Sequence, residues 1–165
     1  MTRTIEITLN ALGILALLGA LSLLAGCGAS ALATQARAAQ VAAIATAGAG
    51  DVIDAARDRA LDAVEEAHPI RGPERDAALD AEAARWRPAG QALDAIREVL
   101  VTWTAAIEAA RVVGEQGMAA IWPRILALAS QAVATYARIA DLARELGVDV
   151  PALDLGGLLG TGGAR

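Results

Sequence analysis

The sequence predicts an all-α protein, an antiparallel up-and-down bundle or long helical hairpin of three to four helices that follows an apolar N-terminal helix. Three observations predict this class. The 165 residues include 43 alanines, and alanine has the highest helix propensity. Aromatic residues make up only 2% of the chain, whereas β-sandwiches and barrels fill their strands with aromatic and β-branched residues. Apolar residues recur at intervals of three and four over long stretches, which is the period of a helix.

The N-terminal part of the chain has the composition of a targeting segment. Residues 11–26 form an uncharged apolar stretch of sixteen residues after a short polar start that contains Arg3 and Glu6. A helix that crosses a hydrocarbon core of ~30 Å needs about 20 residues. The stretch is therefore short for a permanent span and typical of the apolar region of a secretory signal. It ends in the four residues Leu24, Ala25, Gly26 and Cys27.

These four residues, L-A-G-C, resemble the lipobox of bacterial lipoprotein signal peptides, position by position. The resemblance implies that residues 1–26 are a signal peptide, that Leu24, Ala25 and Gly26 are recognised by its peptidase, and that Cys27 carries a diacylglycerol on its sulfur. This covalent lipid would be the chain's only cofactor-like group. Two or three acyl chains, at ~0.8 kcal/mol per buried CH₂, anchor a protein stably. Gly28, where an aspartate would imply retention in the inner membrane, implies the periplasmic face of the outer membrane in a diderm host.

Two other interpretations of the same segment remain open. It could be an uncleaved transmembrane helix that extends back to about Ile7, in which Cys27 is a passive small residue. Alternatively, an ordinary secretory signal could be cut near Ala29 or Ala31, which would leave a protein without lipid.

After Cys27 the sequence predicts an alanine-rich helical tether over residues 27–50, either a stalk or a helix pressed against a neighbour. Gly48, Ala49 and Gly50 are expected to end this helix. The bundle domain is predicted over residues 51–147. Asp51 is the expected N-cap of its first helix, and Pro69 the expected stop.

The clearest periodicity covers residues 79–114, where apolar positions alternate three and four apart over five heptads. Glu82 is the one charged residue at a position of this pattern. Pro88 is expected to kink this helix or to start a second one. Gly114 and Gly117 predict a turn, followed by a helix with two adjacent apolar stripes. The first stripe consists of Ile121, Ile125, Leu128, Ala132, Thr135, Ile139, Leu142 and Leu146, and the second of Trp122, Leu126, Ala129, Val133, Tyr136, Ala140 and Ala143. The predicted packing and interaction seam consists of Leu93, Ile96, Leu100, Trp103, Ile107, Ile121, Ile125, Leu128, Ile139 and Leu142.

A further helix end is predicted at Gly147, and residues 148–165 are expected to form a glycine-rich flexible tail. The alanine-rich core is expected to be shallow, so oligomerisation through the second apolar stripe of the last helix is a reasonable hypothesis.

Composition argues against several function classes. The net charge of −5 and pI near 4.8 lack the basic footprint of a nucleic-acid-binding protein. The only histidine, His68, lacks partners at metal-ligand spacing, and no serine lies in a nucleophile elbow. We therefore predict no catalytic and no metal-binding residues. The acidic ridge of residues 51–66 is predicted to be a solvated face, with docking of a divalent cation or a basic partner as the alternative.

The predicted function is that of a membrane-anchored lipoprotein without enzymatic activity, which serves as a helical scaffold or interaction module at the cell envelope. Its expected partners are the membrane, through the lipid, and another protein or a second copy of the chain. Two alternatives are a phage-encoded envelope accessory protein, which acts in lysis or superinfection exclusion, and a bundle that carries an apolar ligand between its helices.

Overall fold

The computed structural model describes residues 28–153, which form two long α-helices joined by one short connection. Helix α1 spans Gly28–Ala67 and helix α2 spans Pro73–Glu145. Gly114 interrupts α2 with φ 67° and ψ −167°, so α2 consists of two helical segments. No strand occurs within residues 28–153. The predicted all-α helical bundle is therefore confirmed.

Helix α1 continues through the segment where the sequence predicted a break. Gly48, Ala49 and Gly50 are all helical, and Asp51 lies within α1 as an exposed residue, not at its N-cap. The break and the cap were wrong because packing offsets the cost of glycine in a helix, roughly 0.5–1 kcal/mol relative to alanine. A Cβ atom at Gly48 would lie 3.5 Å from Cγ of Pro151. This is an ordinary van der Waals distance, so Pro151 packs beside this turn of α1.

The connection between the helices begins where the sequence predicted a helix stop. Helix α1 ends at Ala67, two residues before Pro69, and the backbone N–H of His68 donates to the carbonyl of Val64 at 3.0 Å. Pro73 occupies the first turn of α2, where its missing N–H has no cost. The acidic residues Glu74 and Asp76 follow in the same turn, where they complement the helix dipole.

The interruption in α2 falls at Gly114 and not at Pro88. The helix continues through Pro88 with helical dihedral angles, so the predicted second helix start at that proline was wrong. Gly114 adopts a positive φ with an extended ψ, a combination that is essentially restricted to glycine. The turn predicted from Gly114 is present, whereas Gly117 lies within the following helical segment.

Replacement of Gly114 by alanine is expected to lower the free energy of unfolding by about 1–3 kcal/mol, because an L-residue is strained at this φ and ψ. No heavy atom lies within 4 Å of the added Cβ, so the cost comes from the backbone alone. Gly90→Ala is the matched control. Gly90 is helical, exposed and equally unobstructed, so its replacement should stabilise the chain by about 0.5–1 kcal/mol. Urea denaturation measures both changes, and equal effects of the two variants would contradict the assignment.

The C-terminal end of α2 is closed by a Schellman motif. Gly147 has φ 77°, and its N–H donates to the carbonyl of Arg144 at 3.0 Å. The N–H of Val148 donates to the carbonyl of Ala143 at 2.8 Å. These two bonds satisfy carbonyls that a helix end otherwise leaves unpaired. The predicted end of the helix at Gly147 therefore has its physical basis in the left-handed conformation of that glycine.

The described residues form two compact units. Unit 1 comprises residues 28–43, 99–134 and 153, and unit 2 comprises residues 44–98 and 135–152. The division between the units in α1 falls between residues 43 and 44, whereas the sequence placed the start of the bundle at residue 51. Each unit has its own core, built from three helical segments.

The core of unit 1 is lined mainly by alanine on α1, and by alanine together with larger residues on α2. Its buried apolar side chains are Leu32, Ala38, Ala39, Ala42, Val99, Leu100, Trp103, Ala106, Ile107, Ala110, Ile125, Ala129 and Ala132. The small side chains of α1 let the larger ones of α2 fill the space between helix axes. The predicted alanine-rich tether thus contributes part of a core.

In unit 2, the α1 segment runs antiparallel to the first segment of α2. A Cβ atom at Gly50 would lie 3.5 Å from Nη2 of Arg97, and Arg75 Nη2 lies 2.7 Å from Glu65 Oε1. The buried apolar side chains of this unit are Ala49, Ile53, Trp86, Ala89, Ala92, Leu93, Ile96, Tyr136, Ile139 and Ala143.

Candidate functional site

The predicted lipid-attachment site lies outside the described residues. Cys27 and the recognition residues Leu24, Ala25 and Gly26 all precede Gly28, where the described part of α1 starts. The glycine-rich segment from residue 154 onward is outside the described part as well. The structure therefore describes the folded part of the chain that follows Cys27 and does not describe the residues of the predicted lipid-attachment site.

The predicted seam lies mostly inside the two cores. In unit 1, Ile121 and Leu128 are half-buried, and the structure buries Leu100, Trp103, Ile107 and Ile125. In unit 2, Leu142 is half-buried, and the structure buries Leu93, Ile96 and Ile139. The seam therefore serves mainly to hold each unit together.

The buried line of the last helical segment differs from the predicted one. It consists of Ile125, Ala129, Ala132, Tyr136, Ile139 and Ala143, three from each predicted stripe. Half-buried residues border the line on both sides. A helix packed between two neighbours buries the middle of its apolar face, so the two stripes are the flanks of one face.

Glu82, the residue that did not fit the predicted heptads, has a structural role in unit 2. Its Oε1 accepts a hydrogen bond from the indole Nε1 of Trp86 at 2.8 Å, four residues along the same helix. Arg85 Nη1 lies 3.6 Å from the same oxygen. Glu82 thereby satisfies the one polar atom of a buried tryptophan.

Two buried polar atoms in unit 1 have no hydrogen-bond partner, namely Oε1 of Gln35 and Nε1 of Trp103. The side chain of Trp103 is fully enclosed, with 1% of the residue exposed. The indole Nε1 of Trp103 in unit 1 therefore lacks a hydrogen-bond acceptor, whereas the indole Nε1 of Trp86 in unit 2 donates to Glu82.

Tyr136 fastens the segment after α2 to α1 within unit 2. Its hydroxyl donates to the carbonyl of Pro151, and the carbonyl of Ala45 lies 3.4 Å away. Pro151 packs beside Gly48. Burial raises the pKa of the Tyr136 phenol above its ordinary value of 10.0. The sequence showed Tyr136 only as a member of an apolar stripe, because its partners are backbone atoms distant in the chain.

The raised pKa predicts a loss of stability at high pH. The unfolded chain releases the Tyr136 proton near pH 10, and the folded chain releases it at higher pH, so stability is full below about pH 10 and declines as pH rises through the folded pKa. Tyr136 is the only tyrosine and the chain has no lysine. Tyrosinate absorbance therefore reports this one group. Tyr136→Phe should remove most of the decline, and an identical alkaline transition in that variant would contradict the assignment.

The acidic ridge of α1 is a solvated, partly neutralised face. Arg57 lies 3.2 Å from carboxylate oxygens of both Asp54 and Asp58, and all three side chains are at least 43% exposed. Glu65 pairs with Arg75. Within the described residues, no group of three or more His, Cys, Asp or Glu side chains is arranged to hold a metal ion.

A hollow in unit 2 lies over the connection between α1 and α2. It has a volume of about 510 Å³ and is open to solvent, and its lining runs along residues 67–75. His68 and Arg71 are exposed there, and the side chain of Ile70 is 84% exposed. The lining comes from consecutive residues of one loop, so it does not bring distant chemical groups together.

Charge is distributed very unevenly between the two units. The described residues of unit 1 include three arginines and two glutamates, a net charge of +1, whereas unit 2 includes nine arginines and fifteen acidic residues, a net charge of −6. Both units carry exposed large apolar side chains, namely Val101, Val112 and Val113 in unit 1 and Ile44 and Ile70 in unit 2. Sequence reasoning missed the contrast in charge, because each unit is assembled from separate segments of the chain.

One helical segment among the described residues, Gly117–Glu145, is long and apolar enough to cross a membrane, with a mean hydropathy of 1.2. Core helices of the same length reach similar values. This segment buries Ile125, Ala132 and Ile139 completely, so part of its apolar face is used for packing inside the protein.

Comparison of the chain with protein families, with curated proteins and with solved structures gives no significant match. The functional interpretation therefore rests on the residues of this chain.

Proposed function

We propose that the chain is a lipid-anchored protein of the bacterial cell envelope, and that its helix bundle acts by contact, as a scaffold or interaction module, without catalysing a reaction. The observation that carries the proposal is the L-A-G-C sequence at residues 24–27, directly at the end of an uncharged apolar stretch of sixteen residues. The small residues Ala25 and Gly26 let an extended backbone enter a peptidase site. Cys27 is the only thiol in the chain.

The packing of α1 supports a body held close to the membrane. The first described residue of α1, Gly28, follows Cys27 directly. Leu32, Ala38 and Ala42 of the same helix are buried in unit 1. The part of the chain next to the anchor thus belongs to a packed core, so the lipid would hold a folded body and not a loose tether.

The arrangement of charged side chains supports action by contact. Most ion pairs of the described residues join neighbours three apart on one helix, as in Arg97 with Asp94 and Arg111 with Glu108. Such exposed pairs contribute only about 0.2–1 kcal/mol each and are typical of solvated surfaces. General acid and base catalysis instead needs groups in contrasting environments within one cleft.

The partner of the bundle, by this proposal, is another protein or a second copy of the chain. The lipid places the bundle at the periplasmic face, and Gly28, in place of an aspartate, sends it to the outer membrane if the host is diderm.

The test of the anchor is metabolic labelling of cells with palmitate. Wild-type protein should incorporate label and remain with membranes until detergent is added, whereas Cys27→Ser should incorporate none. A matched control moves the thiol by three residues, as Cys27→Ser with Ser30→Cys. Ser30 is exposed, so the double variant keeps one accessible cysteine outside the lipobox and should also remain unlabelled.

Mass spectrometry of the purified chain separates the proposal from its alternatives. A lipid-modified N-terminus at Cys27 supports the anchor. An intact chain that retains residues 1–26 without lipid indicates a transmembrane helix. A soluble chain that starts near Ala29 or Ala31 indicates an ordinary secretory signal. Either of the last two results, or an unlabelled wild type, overturns the proposal.

A further inference from the structure

We infer that unit 1 is the part of the bundle that lies against the phospholipid bilayer, with Val112 and Val113 in contact with lipid. This inference rests on the proposed lipid anchor. It adds a second, noncovalent membrane contact and assigns it to named residues.

The first argument is the length of chain between the anchor and the folded body. Gly28 already belongs to α1, so a lipid on Cys27 leaves one peptide bond between the anchor and the helix. One residue of extended chain spans at most about 3.6 Å. Unit 1, which contains this end of α1, cannot stand off from the bilayer surface on a flexible linker.

The second argument is the surface of unit 1. Val112 is 87% exposed and the adjacent Val113 is 47% exposed, directly before the turn at Gly114. Val101 is 71% exposed and lies eleven residues earlier, close to three helical turns, so it shares the face of Val112. Exposed apolar side chains of a body anchored to a bilayer lose contact with water when they enter the interface.

The third argument is the difference in net charge between the two units, which favours contact with lipid for unit 1 only. Unit 1 carries five charged residues with a net charge of +1, so few charged groups have to be desolvated when it touches lipid, and anionic headgroups do not repel it. Unit 2 carries 24 charged residues with a net charge of −6. Anionic headgroups repel that charge, so contact with lipid is expected for unit 1 and not for unit 2.

The test uses the full-length lipidated protein with one environment-sensitive fluorophore. The acylated Cys27 cannot react with a thiol reagent, so Val112→Cys supplies the only reactive thiol. Ile70→Cys in unit 2 is the matched control, because Ile70 is 84% exposed against 87% for Val112. Each labelled protein is reconstituted into phosphatidylethanolamine and phosphatidylglycerol vesicles, with and without nitroxide-labelled lipids.

The expected result is that the fluorophore at 112 emits at shorter wavelength and loses most of its emission in nitroxide vesicles, while the fluorophore at 70 does neither. If mass spectrometry shows lipid on Cys27 but neither label is quenched, this inference is overturned and the anchor stands. Shortened wavelength at 112 without quenching indicates burial against a second copy and also overturns it. Equal quenching at both positions overturns the assignment to unit 1. Absence of lipid on Cys27 overturns the proposed function itself.

Discussion

Trp103→Ala is expected to lower the free energy of unfolding by about 3–5 kcal/mol, the range for truncation of a buried tryptophan. Trp103 is 1% exposed and is among the largest completely buried side chains of the described residues. It lies in the core of unit 1, where α1 contributes mainly alanine. Small neighbours cannot reach into the space that the indole vacates, so the cavity persists. Urea denaturation of the chain from residue 27 with Cys27→Ser measures the loss.

Two further variants separate the volume of this side chain from its polar atom. Trp103→Phe keeps most of the ring volume and removes Nε1, a buried donor without a partner, so it should cost about 1 kcal/mol or less. Trp122→Ala removes a tryptophan that is only half-buried and should cost clearly less than Trp103→Ala. A Trp103→Ala variant as stable as Trp122→Ala would contradict the description of the unit 1 core.

Ile96→Ala is expected to lower the free energy of unfolding by about 2–5 kcal/mol. Ile96 is completely buried in unit 2, on the helical segment that also buries Leu93 and Trp86. The alanine leaves a cavity and loses the transfer free energy of three carbon atoms. Because Ile96 lies in unit 2, this variant tests the core of that unit, whereas Trp103→Ala tests the core of unit 1.

Ile70→Ala is the matched control for Ile96, because it is the same chemical change in the same unit. Ile70 is 84% exposed, so its truncation should alter stability by no more than about 0.5 kcal/mol. Chemical denaturation followed by far-ultraviolet circular dichroism compares the two variants. Similar losses at both positions would show that Ile96 is not enclosed as described.

The candidate site could be predicted from the sequence only where its chemistry is local. The proposed lipid-attachment signal, L-A-G-C, consists of four adjacent residues, so the sequence alone is enough to propose it. The exposed valines of unit 1 could not be recognised in this way. Val112 fits a helix as well as Val99 does, and only the packing shows that Val99 is buried while Val112 is exposed.

Errors at particular glycines and prolines have a common cause. From local propensity alone, Gly48 and Gly50 predict a helix break and Pro88 predicts a helix boundary. Local propensity includes only the free-energy cost of these residues within the helix and takes no account of packing against other segments. In the fold, Pro151 packs beside Gly48 and Arg97 beside Gly50, and the bundle keeps α1 and α2 helical through these positions. Gly114 and Gly147 were read correctly because both adopt positive φ, a property of the residue itself.

Local signals along the chain were enough to predict that it is helical, that α1 stops before Pro69, and that α2 turns at Gly114. They also predicted that the periodic positions from Trp86 to Ala110 share one buried face. These properties follow from helix propensity, from the special dihedral angles of glycine and proline, and from a period that repeats along one helix. Three features became visible only in the folded chain: residues 28–43 pack with residues 99–134, the Tyr136 hydroxyl donates to the carbonyl of Pro151, and most charged residues belong to unit 2. These features depend on which distant segments become neighbours, and the free energy that selects those neighbours is spread over many small apolar contacts.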